Sequence, residues 1–110
     1  MVQAAHVVYP REAWLIADRL KRHLHADSIY LFGSHARGAA GPDSDLDIAV
    51  IVPDGAESRY RRSVLARSLV RDIYVPKDIL VFTRSEWEAE RVVVCSLVDT
   101  IQREGVRLDA

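Results

Sequence analysis

The chain has a single cysteine, Cys95, in 110 residues. No internal disulfide can form, and a reducing cytoplasm is the natural setting. Cys95 stands among Val92, Val93, Val94 and Leu97, where it reads as a small core residue rather than a nucleophile. The four histidines (His6, His23, His25, His35) show no metal-ligand spacing with one another or with Cys95. No apolar run approaches the ~20 residues of a bilayer span; the longest have the length of a buried strand. The opening MVQAAHVVYPRE lacks a basic segment ahead of an apolar core, so no secretory leader is expected. Charge of either sign is not in excess: 15 Lys and Arg against 16 Asp and Glu give a net charge of -1. That balance argues against bulk nucleic-acid binding and predicts no direct contact with nucleic acid. Repeats, linkers and low-complexity segments are also missing.

What is present is a globular composition, 49% hydrophobic and 28% charged. The length predicts one domain over residues 1–110. A chain this short hides roughly 60–70% of its unfolded surface, enough for a modest core.

Pro10 suits a helix start, and Ala13, Ile16, Ala17, Leu20 and Leu24 follow at helical spacing to about His25. Ser28–Phe32 predicts a short buried strand ended by Gly33. Ser34 can cap a short helix through Arg37 that Gly38 stops. Residues 39–44 form a loop around Gly41-Pro42. Leu46–Val52 is a near-continuous apolar run, which predicts a central strand covered on both faces.

A helix is expected from Ser58 to about Tyr74, with Leu65, Leu69 and Ile73 on one face and Pro76 beyond it. Lys77–Thr83 reads as a third strand. Ser85 with Glu88 forms a candidate capping box. Val92–Val94 can interrupt the helix that follows, Ser96 to Glu104 resumes it, and Val106–Leu108 can form a short edge strand. The order α-β-α-β-α-β-α predicts an α/β (α+β) fold, a small mixed sheet flanked by helices.

The chemistry concentrates in GSHARGAAGPDSDLD, residues 33–47. Asp45 and Asp47 alternate onto one face, about 7 Å apart along the chain. Two such carboxylates repel unless a cation neutralises them, and an oxygen-only set selects Mg²⁺ or a similar hard ion. Alone, the pair reads more readily as two solvated aspartates at the start of a strand. Gly33-Ser34 lies where a strand hands over to a helix start, a place where backbone N–H groups favour a phosphate. Arg37 adds a fixed cation of bidentate geometry. Asp78, at the head of the third strand, can join the Asp45/Asp47 face if the two strands are neighbours. It could then share a metal or accept a proton.

Gly33-Ser34-x-Ala36-Arg37-Gly38, then Ser44-Asp45-x-Asp47, then a distal aspartate entering a strand, resembles the DNA polymerase β-type nucleotidyltransferase superfamily. More narrowly, the pattern is similar to the minimal nucleotidyltransferases of bacteria and archaea, over nearly the whole chain. The resemblance implies a nucleotidyltransferase fold. It implies Mg²⁺-dependent transfer of AMP from ATP to a hydroxyl, with two ions bound. It puts Gly33, Ser34, Arg37 and Ser44 on the nucleotide. Asp45, Asp47 and Asp78 become metal ligands and catalytic residues, with Asp78 assisting deprotonation of the acceptor.

Many such proteins are antitoxins that modify a tyrosine of a HEPN-domain ribonuclease toxin, so the resemblance implies that partner and a hetero-oligomer. Two alternatives stand beside it: neutralisation of the partner by binding alone, and transfer to a small-molecule hydroxyl. His35 stands where the family often has arginine, and Lys77 where an apolar residue is usual before Asp78. Arg59, Arg61, Arg62, Arg67 and Arg71 crowd one helix, either as a solvated face or as a contact for an acidic partner or for outer phosphates. Trp14, Tyr60 and Trp87 read as core or half-exposed residues.

Overall fold

Helix α1 (Arg11–Leu24) begins directly after Pro10 and buries Ala13, Ile16, Ala17 and Leu20, the stripe expected from its period. Lys21, Arg22 and His23 fill its last turn, where cations meet the negative end of the helix. It is followed by β1 (Ser28–Phe32), α2 (Gly33–Ala36), β2 (Leu46–Val52), α3 (Arg59–Leu69) and β3 (Lys77–Thr83). The chain continues through α4 (Arg84–Arg91), α5 (Leu97–Glu104) and β4 (Val106–Arg107). This computed structural model describes residues 9–55 and 57–109. The expected absence of a leader, and His6, fall outside the described residues. Among those residues, no helix is long and apolar enough to cross a membrane.

The strands form one mixed sheet in the order β3-β2-β1-β4. β2 pairs parallel with β3 and antiparallel with β1, and β4 closes the far edge against β1. The LDIAVIV segment is therefore central, and its two faces are buried against different helices. Ile48, Val50 and Val52 pack with Ile29, Leu31, Ile79 and Val81 beneath α1 and α3. Ala49 and Ile51 pack with Phe82 against Trp87 of α4 and with Val98 and Ile101 of α5. Trp87 stacks on Tyr30 at 5.4 Å and meets Phe82 edge-on at 5.6 Å, so it is a core residue. Trp14 and Tyr60 are exposed.

Several sequence expectations change. α3 ends at Leu69, and the chain then turns through Val70 to a buried Ile73, with backbone bonds three residues apart. Its buried positions are Arg62 and Ala66, and Leu65 faces out. The arginine is tolerated inside because its guanidinium donates to the Glu57 carbonyl at 2.7 Å and to Glu86 Oε1 at 2.6 Å. The capping box of α4 is Thr83 with Glu86, not Ser85 with Glu88. The last strand residue serves as the cap, and Ser85 instead donates its hydroxyl to Asp54. Ser34 does not cap α2; it lies inside that single turn, and Phe32 takes the cap position without a side-chain bond.

Cys95 is exposed rather than core, as are Val92, Val93 and Val94. The turn between α4 and α5 is pinned by Ser96, whose hydroxyl donates to the Glu90 carbonyl and accepts from the Asp99 N–H. That tie leaves the apolar run outside, with Cys95 at φ 66°. The edge strand β4 forms as expected, so the order closes β-α-α-β.

Candidate active site

β1 delivers the chain to Gly33, which takes φ +74°, a value at which an L side chain is strained. α2 then makes one turn, closed by the Arg37 N–H on the Gly33 carbonyl at 3.1 Å, and Gly38 turns the chain away at φ +73°. The same glycine meets a strict spatial limit. A Cβ on residue 33 would overlap Asp47 Oδ2 and lie 3.1 Å from Asp47 Cγ. The strand–helix junction and the Asp47 carboxylate are thus in direct apposition.

Register explains the rest. Asp47 of β2 is opposite Phe32 of β1 and opposite Asp78 of β3. Neighbouring strands are about 4.8 Å apart, and register partners project from the same face. Asp47 and Asp78 therefore share the sheet face carrying Ala49, Ile51, Leu80 and Phe82, at the end where the parallel pair begins. Asp45, just outside the strand, is exposed.

Burial pushes the Asp47 carboxyl up from its ordinary range; the negative charges of Asp78 and then Asp45 add to it, while His35 and Arg37 oppose it. Asp47 thus sits in the field of both other aspartates. Among the described residues, no three His, Cys, Asp or Glu side chains converge as a ready-made ligand cluster. Asp78 is half exposed and leans instead toward Arg67, with Nη2 3.8 Å from Oδ1. The donor chemistry, all carboxylate oxygen with mutual repulsion, fits a hard divalent ion.

The remaining expected residues have partners of their own. Arg37 lies 3.8 Å from Glu104 of α5. The Ser44 hydroxyl accepts from the Gly41 N–H at 2.9 Å, and its carbonyl lies 3.3 Å from His35 Nε2, so Ser44 braces the loop entering β2. Ser34 is half-buried in α2. Phe32 and Glu104 join the constellation without being marked by the motif, and Arg67 is set apart only by its contact with Asp78. Strand alternation points to Phe32. Nothing in the linear sequence separates Arg67 from the four other arginines around it. A pocket lined by Leu24, Val52, Arg62, Leu65 and Val81 lies at the opposite end of β2 and takes no part in this constellation.

Residues 15–108 match the family model of the nucleotidyltransferase domain. The chain belongs to that family. As a nucleotidyltransferase domain it also resembles solved structures in fold. One is a protein from Sulfolobus solfataricus assigned as a nucleotidyltransferase, 21% identical over 88% of this chain and 76% of that one, with a TM-score of 0.59. A toxin-antitoxin structure with AMP-PNP is 24% identical over 90% of this chain and 73% of that one, with a TM-score of 0.58. The MntA-HepT toxin-antitoxin structure is 21% identical over 88% and 68%, with a TM-score of 0.53. No curated protein gives a significant sequence match.

Proposed function

We propose that this nucleotidyltransferase domain transfers AMP from ATP to a hydroxyl, and that the acceptor is a tyrosine of a helical HEPN ribonuclease partner that it thereby neutralises. The reading treats residues 1–110 as one cytoplasmic domain working in a hetero-oligomer. The observation that carries it is the register match of Asp47 with Asp78 beside Gly33, within a family whose reaction is nucleotidyl transfer. The likeness in fold to toxin-antitoxin structures, one of them with AMP-PNP, supports the partner and the nucleotide.

In this mechanism Gly33 and Ser34 hold the triphosphate, with Arg37 flanking it. Asp45, Asp47 and Asp78 would hold Mg²⁺, as a pair of ions that supplies charge neutralisation to the triphosphate and the leaving oxygens. Asp78 accepts the proton of the acceptor hydroxyl. The hydroxyl oxygen forms a bond to the α-phosphorus, the bond to the bridging oxygen breaks, and pyrophosphate leaves. Ser44 contributes by holding the loop that carries Asp45.

The direct test is the intact mass of a small helical protein encoded in a neighbouring reading frame, after incubation with this protein, ATP and Mg²⁺. A gain of one or more AMP units is the expected result. The Arg67–Asp78 pairing, which holds a proposed ligand on a cation of the chain itself, favours one rival, neutralisation by binding alone. A tight complex with no added mass would establish that rival and end the transfer reading.

A further inference from the structure

The outer face of α3 is built unlike an ordinary solvated helix surface. Tyr60, Val64, Arg67 and Arg71 recur every third or fourth residue, which puts them along one side of the helix and the turn after it. Tyr60 is 77% exposed, and Val64 and Leu65 are each close to half exposed, on a helix whose opposite side is in the core. Two shallow hollows run along this side and share Val64. One is bordered by Tyr60, Arg61 and Leu65. The other is bordered by Arg67, Arg71 and Lys77. The second hollow therefore ends at the residue preceding Asp78.

The charge here is one-sided. Among the described residues neither Arg61 nor Arg71 forms an ion pair, and Asp72 is held by Arg19. Arg67 pairs with Asp78, at 3.8 Å with both side chains half exposed, a contact that solvent screens and that exchanges easily. The Lys77 ammonium donates to the Ile73 carbonyl at 2.8 Å. Among the described residues, Glu57 is the one carboxylate bordering either hollow. A chain of net charge -1 thus collects cations around exposed apolar side chains, beside one proposed catalytic carboxylate.

We infer that this face of α3 docks an acidic amphipathic segment of the protein that carries the acceptor hydroxyl, with Tyr60 and Val64 as apolar anchors and Arg61 and Arg71 as its charge contacts. The inference rests on the transfer reading for the word acceptor, and gives it a direction of approach. Arg67 links the docking face to Asp78 around the edge strand β3, at 3.8 Å, so a segment seated there lies beside the β3 edge of the site. The exposed apolar side chains between the arginines favour a protein over a nucleic acid, because a phosphate backbone gains nothing from Val64 or Leu65.

Fluorescence anisotropy tests this with three labelled probes. They are a helical peptide bearing Glu on one face, Leu at helical spacing and one Tyr; the same peptide with every Glu changed to Lys; and a single-stranded oligonucleotide. The acidic peptide is expected to bind about tenfold or more tighter than its Lys counterpart at low salt, and to weaken as salt rises. R61E/R71E should lose about tenfold or more of that affinity. Y60A/V64A should weaken it with little salt dependence. Unchanged thermal unfolding identifies variants that have kept the fold.

Equal binding of the two peptides, unaltered affinity in R61E/R71E, or tighter binding of the oligonucleotide through the same arginines would each overturn the inference. AMP transfer to the peptide, measured separately with ATP and Mg²⁺, reports on the reaction. Binding through these residues without transfer leaves the docking face standing, and the mass of the proposed partner then decides the transfer reading on its own.

Discussion

The Asp47 carboxylate occupies the space that a side chain on Gly33 would need, and Gly33 holds a positive φ that only glycine adopts freely. The glycine thus serves the carboxylate as well as any phosphate. Gly33→Ala is expected to cost about 1–2 kcal/mol from backbone strain alone, and more from the overlap. A fall in melting temperature of about 4–8 °C for each kcal/mol is the readout. The two residues should couple: G33A combined with D47A should lose clearly less stability than the sum of the single variants. Additive losses would show that the overlap is not the cause.

Asp47 and Asp109 should respond to pH in opposite senses. Asp109 is held below the usual carboxylate range by hydrogen bonds from Arg107, at 2.7 Å from both Nε and Nη2, with the Ile29 N–H at 3.0 Å helping against burial. Its stabilisation is present above about pH 4, the unfolded value, and is lost as pH falls through the lower folded value. Denaturant midpoints measured from pH 6 down to 2 should fall steeply in the wild type and less steeply in Asp109→Asn.

Asp47 is raised in the folded state, mainly by burial and then by Asp78 and Asp45, so its ionisation above about pH 4 opposes folding. Asp47→Asn should melt higher than the wild type at neutral pH without metal. Millimolar Mg²⁺ with ATP should raise the wild-type melting temperature and leave that variant nearly unmoved. Equal shifts in both proteins would count against Asp47 as a ligand.

Arg62 ties α3 to the start of α4 through Glu86, which also closes the Thr83 capping box. Arg62→Ala should cost about 1–3 kcal/mol, because it removes the nearer cation of a partly buried Glu86 and leaves it only Arg59, 3.7 Å away. Arg62→Met should cost less. It preserves the aliphatic stem, and it removes an Nε that has no hydrogen-bond partner among the described residues. Thermal unfolding of the two variants side by side checks the ranking.

Much of this arrangement was readable because it is written in period and spacing. LDIAVIV could only be a covered strand. The separation of Gly33, Asp47 and Asp78 along the chain closes once β2 and β3 pair in register. Features that depend on tertiary partners were not readable. Arg62 looks like a surface arginine until Glu57 and Glu86 are placed around it. Val92–Cys95 looks like core by composition, yet the Ser96 hydroxyl bonds turn it outward. Thr83 and Ser85 both offer a cap three residues before a glutamate, and the end of β3 decides between them. The Arg67–Asp78 contact belongs to the same class, since it joins two elements whose packing the linear pattern leaves open.

The most direct measurement of the central claim uses ATP labelled at the α- or the γ-phosphate, with the purified protein, Mg²⁺ and the helical protein proposed as its partner. Label should pass to the partner from the α position only, with release of pyrophosphate. Asp47→Asn, folded by circular dichroism, should lose about a hundredfold or more of that rate. Transfer from the γ position, or undiminished α-label transfer in Asp47→Asn, would contradict the account.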